Sequence, residues 1–413
     1  MQKVLNTNLP DQSPILRHDE VLFVSYDASF PDRNGGTRVH GQVISALLRT
    51  RFPLLLAQGN SARASEYPPE LRPVFHQPRF MKYIAHLKFI NYAYFNLWLC
   101  KFIMTRSRHH RELVFQANWG TIPTLALMRF MGRSEWVCIL VDSFTTHSAK
   151  ELNWSSWELG LPLAVVKRIE KLATRSRFIT VVNRKEADTL VALGFGVDRV
   201  RCIPLAASLF GRPEEIASRA FRSELLLEKG LPSDARLVAF HGHLSTPANK
   251  SAVERILNDI APRTYEFDTS IIFLIIGEGY TSKNSAPNVR FLGFVNDLRL
   301  VLSNVDIVIA PLEFGSGLKN KILDALGCGT PVITTRVGSS GFESHGSPMI
   351  VSTIPDFPQA IVSLLKDPNR VAIGRAGMEY VKKYYPEELL DRYTEIANML
   401  VGSRDRLVSR WRG

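Results

Sequence analysis

The chain has 413 residues, 45% hydrophobic and 22% charged, proportions that exclude a disordered, collagen-like or multi-span membrane protein and leave room for about two domains. Lysine and arginine number 51 against 39 acidic residues, a net charge of +12, yet no dense basic run, finger spacing or RNP-type aromatic pattern accompanies it, so no nucleic-acid partner is expected. The four cysteines, Cys100, Cys138, Cys202 and Cys328, lie far apart without a CxxC pair, which points to reduced thiols rather than a zinc site. Residues 1–19 read as a polar N-terminal tail without the apolar core of a secretory signal, and a cytoplasmic chain is expected.

The first strand is Val21 to Ser25, followed by a loop from Tyr26 to Gly36 and a helical pattern from Thr37 to Arg49. A buried strand, a glycine-bearing loop and a helix make the opening unit of a doubly wound sheet. Further strands are predicted at Pro53–Leu56, Leu113–Gln116, Trp136–Val141, Phe178–Val182 and Val200–Ile203, with helical stretches between most of them. Tyr83 to Met104 is aromatic and apolar but carries Lys88, Asn91, Asn96 and Lys101, too interrupted for the ~20 apolar residues of a membrane span. It is expected as a buried or interfacial helix.

Pro204 ends the last strand of this half, and Leu205 to Pro213 has loop character before a charged helix, Glu214 to Lys229. A second set of strands follows at Leu237–His241, Ser270–Ile276, Val289–Leu292, Asp306–Ala310 and Pro331–Thr335, separated by helices such as Ala252–Ile260 and Leu318–Leu326. The helices at Ile373–Lys383 and Pro386–Leu400 are too long to be simple crossovers and are expected to fold back across the seam between the halves. The fold class is therefore α/β, two Rossmann-like doubly wound domains facing a cleft.

Ligands of such sheets bind beyond the carboxyl ends of the strands. The most informative segment there runs from Pro311 through Gly315-Ser316-Gly317-Leu318-Lys319-Asn320-Lys321 to Asp324 and on to Thr335. A glycine loop opening a helix turns backbone N–H groups and the positive helix end toward an anion, and Lys319 and Lys321 add cationic charge. Asp324 lies one helical step from Lys321, where a carboxylate can accept hydrogen bonds from sugar hydroxyls. Such a loop serves either as a phosphate cradle or as a turn that uses glycine for its backbone alone. In the first half, Asp32 to Gly36 reads as an Asn-Gly turn or as a loop admitting close approach of a ligand. His147 and Asp142 follow a strand and could serve in hydrogen bonding or proton relay, or in a structural role.

The run GSGLKNKILDALGCGTPVITT closely resembles the donor-binding signature of the retaining GT-B glycosyltransferases of family 4 (glycosyltransferase group 1). Phe240 to Lys250 is similar to that family's first strand and loop of the second domain, Asn288 to Asp297 to its V-x-F-x-G-F-V-x-D element, and Thr180 to Leu190 to its TVVSxxEAxxL element. The order and spread of these elements cover most of the chain from Val21 to Leu400.

The resemblance implies a tail at 1–19, an acceptor domain at 20–205, a nucleotide-sugar donor domain at 206–385, and a C-terminal helix and basic tail at 386–413 crossing back to the first domain. It implies donor contacts from Gly35, Gly36, His243, Phe294, Val295, Glu313, Gly315, Ser316, Gly317, Leu318, Lys319 and Asp324, with Lys321, His147 and Asp142 nearest the chemistry. Ser316 stands eight positions before Asp324, where the family carries Glu, and Glu313 lies three residues further upstream.

The activity implied is transfer of a hexose-type sugar, with retention, from a nucleotide-sugar to a saccharide or lipid-linked saccharide, in the synthesis of cell-surface polysaccharide or glycoconjugate. No metal and no cofactor is expected, since lysines and a helix end take that place and no DxD motif stands in a donor loop. A nucleotide-sugar epimerase and a catalytically degenerate scaffold subunit are the alternatives on the same fold. The net positive charge reads either as a solvated face or as attraction to an anionic membrane, which would place the protein peripherally on the inner face of the plasma membrane.

Overall fold

The computed structural model describes residues 20–25, 35–50, 53–58, 88–107, 112–117, 121–140, 163–207, 219–280, 286–315, 318–342 and 347–411. The first half is a parallel sheet of β1 (Val21–Ser25), β2 (Leu54–Gln58), β3 (Glu112–Ala117), β4 (Ser134–Leu140), β5 (Phe178–Val181) and β6 (Val200–Cys202), in the order β2-β1-β3-β4-β5-β6. Its helices are α1 (Gly35–Leu48), α2 (Lys88–Arg106), α3 (Ile122–Phe130), α4 (Leu163–Lys171) and α5 (Arg184–Ala192).

Side chains alternate across a strand, and β1 shows what that does when both faces are covered. Val21 and Phe23 enter one core with Val39, Val43 and Ile44 of α1, whereas Leu22 and Val24 enter another with Phe95, Leu99 and Ile103 of α2. All five residues of β1 are buried. This is why the strand reads as an unbroken apolar run. Phe95, Leu99 and Ile103 repeat every four residues, so the aromatic stretch is a helix with one buried stripe. Among the described residues, no helix is long and apolar enough to cross a membrane.

The second half begins with α6 (Arg219–Glu228) and builds a sheet of β7 (Arg236–His241), β8 (Ile271–Ile276), β9 (Val289–Gly293), β10 (Ile307–Ala310), β11 (Val332–Thr334) and β12 (Ile350–Val351). Every neighbouring pair is parallel, in the order β12-β11-β10-β7-β8-β9. The helices are α7 (Pro247–Arg255), α8 (Ala261–Phe267), α9 (Leu298–Leu302), α10 (Asn320–Gly327), α11 (Phe357–Lys366), α12 (Arg370–Val381) and α13 (Pro386–Trp411). A π-helical turn at Ile256–Ile260 joins α7 to α8. Two parallel sheets, each flanked by helices, form the GT-B architecture.

Three features differ from the sequence expectation. The edge strand β12 has two residues, too few to leave a pattern. Helix α11 was not anticipated, although Phe357, Ile361, Val362, Leu364 and Leu365 bury one side of it. Helix α13 runs to Trp411 rather than ending at Leu400.

The chain crosses between the halves twice. Gln42 of α1 holds the first crossing at both ends of its amide, accepting from the Ala206 N–H at 3.1 Å and donating to the Pro204 carbonyl at 3.4 Å. Helix α13 then returns to pack on α1, where Thr394 Oγ donates to the Ala46 carbonyl at 3.4 Å and Tyr393 is fully buried.

Candidate active site at the second switch point

In the second sheet, β7 leads to β8 and β9 on one side and β10 leads to β11 and β12 on the other. The loops after β7 and β10 therefore diverge at the topological switch point, the crevice where open α/β sheets hold their ligands. In the first sheet the same point lies beyond β1 and β3.

After β7, the chain turns at Gly242 and reaches α7, while the loop after β8 presses against it. A Cβ built on Gly277 would lie 1.9 Å from the Gly242 carbonyl oxygen, and Gly277 has φ +129°. Only glycine permits that approach. The Gly277 N–H donates to the Gly293 carbonyl at 2.8 Å, so the ends of β7, β8 and β9 are fixed as one ledge. On this ledge Tyr280 stacks on Phe291 with ring centroids 6.0 Å apart, and Phe294 stands 70% exposed. Val295 is half-buried and packs on the core. His243 is exposed and shares a 2.9 Å hydrogen bond with Ser245 Oγ.

After β10, Gly315 adopts φ +124° and α10 begins at Asn320 with Lys319 as its N-cap residue. Residues 316–317 lie outside the described residues, while Leu318 is buried. The first N–H groups of a helix have no partner within it, and here they open beside two lysines. Lys321 reaches across the switch point: its Nζ donates to Asn249 Oδ1 of α7 at 2.5 Å and lies 3.9 Å from the centroid of the Phe240 ring. The residue as a whole is half-buried, but its ammonium is walled in by Phe240, Asn249 and the backbone at Gly242. Burial, and then the neighbouring Lys319, push the Lys321 pKa down from 10.5 to about 7. Lys319 is itself buried, with its Nζ beside Gly315. Two lysine side chains thus share an enclosed site at a helix N-terminus.

Asp324 is buried one turn further along α10. Its charge is felt by Cys328, whose thiol is pushed up to about 12 by burial first and by Asp324 second. Glu313 is engaged from the side: Arg255 of α7 donates to both of its carboxylate oxygens at 3.0 and 3.1 Å, and Ser251 Oγ donates at 2.9 Å. It ties the loop after β10 to α7. The side-chain oxygen of Asn320 is buried without a hydrogen bond.

Residues 235–367 match the family model described as glycosyl transferases group 1. This span is therefore similar to a group 1 glycosyl transferase domain. The matched span contains β7 to β12 and every lysine, glycine and carboxylate of the switch point just described. Across the whole chain, the fold is similar to HepE from Anabaena solved with UDP-glucose, at TM-score 0.66 and 15% identity, covering 92% of this chain and 100% of that one. It is similar also to sucrose-phosphate synthase from Thermosynechococcus elongatus, at TM-score 0.68 and 15% identity over 93% of this chain and 100% of that one. A third is WaaG, a glycosyltransferase involved in lipopolysaccharide biosynthesis, at TM-score 0.61 and 14% identity over 91% and 99%. No curated protein matches the chain.

In the first half, Gly35 and Gly36 form the first two residues of α1, beyond the end of β1. Residues 141–150, and with them Asp142 and His147, lie outside the described residues. The group that sequence reasoning missed is His40, buried on α1 with Nδ1 3.3 Å from Ser25 Oγ and its ring edge-on to Phe23. Burial holds its pKa down at about 4. Asn249 and Phe240 were missed as well, although both stand in the segment that carried the resemblance. In the described residues of either domain, no group of three or more His, Cys, Asp or Glu side chains is placed to hold a metal.

Proposed function

We propose that the chain transfers a hexose-type sugar from a nucleotide-diphosphate donor to a saccharide or lipid-linked saccharide, with retention of configuration, in the synthesis of a cell-surface polysaccharide or glycoconjugate. The observation that carries this is the pair Lys319 and Lys321, enclosed at the start of α10 in a span similar to a group 1 glycosyl transferase domain. The donor diphosphate lies against the amino end of α10 and the two lysines. The base rests on the ledge of Phe294 and Val295, and Asp324 and His243 take hydroxyls. Glu313 acts through Arg255 by fixing the loop that carries Gly315.

Departure of the diphosphate builds negative charge, and groups that meet it more strongly in the transition state accelerate the reaction. Lys321 suits this because its proton is held loosely near neutral pH while the site is empty. A bound diphosphate supplies the counter-charge that burial denies it, raises its proton affinity and draws it fully into the cationic state. Gly35 and Gly36 leave room for the donor and acceptor to approach α1. Asp142 and His147 are proposed on the acceptor side, where one orients or deprotonates the attacking hydroxyl. A cytoplasmic position on the inner face of an anionic membrane would bring a lipid-linked acceptor within reach.

HepE was solved with UDP-glucose, so that donor leads the test. Thermal-shift and calorimetric titration of the purified chain with UDP-, GDP-, ADP- and TDP-sugars in EDTA should give saturable binding of one nucleotide class. Binding of none would turn the reading to a degenerate scaffold subunit, and donor turnover without any acceptor would turn it to an epimerase.

A further inference from the structure

At the amino ends of β4 and β5, away from both switch points, an open cavity of about 340 Å³ is lined by Arg129, Arg175, Arg177 and Arg199, with Phe130 on its rim. It is a built feature. The Arg199 guanidinium is held by the carbonyls of Thr174, Ser176 and Arg177, neutral acceptors that orient the group and leave its charge uncancelled. Arg177 is exposed, lies 5.7 Å over the Phe178 ring and donates its backbone N–H to the Trp136 carbonyl at 2.7 Å. Arg175 is exposed beside it. Arg129 alone faces a carboxylate, Glu135. Asp198, next to Arg199 in sequence, is exposed and directed toward Gly196. Among the described residues, no carboxylate bridges Arg175, Arg177 or Arg199.

Three uncancelled guanidinium groups around one concavity suit a phosphate, which arginine meets with two parallel hydrogen bonds. The rim adds the second half of the argument. At the C-terminal end of α3, Phe130 is 78% exposed, Leu127 50% and Met131 46%. Leu97 of the adjacent α2 is exposed too. A free anion makes no use of protruding apolar side chains, whereas an interfacial surface needs both features: cations at the headgroup level and apolar groups that enter the acyl boundary.

We propose that this face docks on an anionic phospholipid bilayer, the arginine cavity receiving a headgroup phosphate while Phe130, Leu127 and Met131 enter the bilayer surface. The inference rests on the membrane-surface part of the proposed function; because this face lies at the amino ends of the strands, away from the switch points, it concerns anchoring of the chain and not delivery of an acceptor.

The test is co-sedimentation of the full chain with vesicles of phosphatidylcholine alone and of phosphatidylcholine containing about a quarter phosphatidylglycerol, at low salt. The chain should bind the anionic vesicles and not the neutral ones. The double substitution Arg175→Glu with Arg177→Glu should lower partitioning by at least about tenfold, and Phe130→Ser by several-fold. Lys185→Glu with Lys366→Glu, which changes net charge equally at other exposed sites, should lower it less than about threefold. If the two double variants lose binding equally, the membrane surface stands and this face is wrong. Absence of binding by the unmodified chain overturns the face and the membrane reading together. The cavity is instead a site for a free anion if inorganic pyrophosphate binds the chain by calorimetry, is lost in the Arg175→Glu/Arg177→Glu variant, and vesicles do not bind.

Discussion

The two switch points are built from the same strand-loop-helix unit and bury different groups among the described residues. At the first, the buried polar group is His40, kept neutral by its surroundings and set against Ser25 and Phe23. At the second, Lys319 and Lys321 crowd a helix N-terminus, and an aromatic face, an amide and a glycine loop enclose Lys321. The architecture alone does not decide what a crevice binds; the side chains carried by the following helix do.

The contrast can be broken most severely at Gly277. Gly277→Ala places a methyl against the Gly242 carbonyl in a backbone conformation that alanine resists, and should cost about 4 kcal/mol of stability in denaturant unfolding. It should also weaken donor binding, because the ledge beyond β7 and β8 must shift. Lys321→Met leaves Lys319 as the remaining lysine of the second crevice. Transfer should fall by about a hundredfold or more, with donor affinity reduced and the melting temperature unchanged or raised, since a disfavoured buried charge has gone.

The first crevice is sharpened by pH. The unfolded chain's imidazole binds its proton near 6.5 and that of folded His40 near 4. Between those values the unfolded state holds more protons, so stability falls as pH falls, by up to about 3 kcal/mol. His40→Gln should flatten that slope between pH 4 and 6.5 in urea titrations and leave stability at pH 8 within about 1 kcal/mol. Glu313→Gln is the mildest change. Its pair with Arg255 is half-exposed, so stability should drop by roughly 0.5 to 1 kcal/mol and donor affinity by less than about threefold. A much larger loss of affinity would put the carboxylate on the donor itself.

The sheets were legible in the sequence because parallel strands covered on both faces read as apolar runs, as β1 and β8 do. The glycine loop, Lys319, Lys321 and Asp324 were legible because one contiguous segment carries them. Contacts made across the chain were not. Lys321 meets Asn249 across 72 positions, and Glu313 meets Arg255 across 58; no local periodicity records either pairing. His40 was missed for a related reason: it meets Ser25 and Phe23 of β1 across the intervening loop, a contact that no local periodicity records. The arginine cavity drew residues from α3, the turn before β5 and the start of β6, so the basic residues read along the sequence as dispersed.

The most direct test of the account is the proton balance of donor binding. UDP-glucose, or whichever nucleotide-sugar the panel selects, is titrated calorimetrically at pH 8 in two buffers of different ionisation enthalpy. At that pH Lys321, with its pKa near 7, is largely neutral in the empty protein. Binding of the diphosphate at α10 should therefore take up close to one proton, and Lys321→Met should abolish the uptake. Tight binding with no proton uptake in the unmodified chain, or with the same uptake in Lys321→Met, would place the diphosphate elsewhere and contradict the assignment of the second switch point as the donor site.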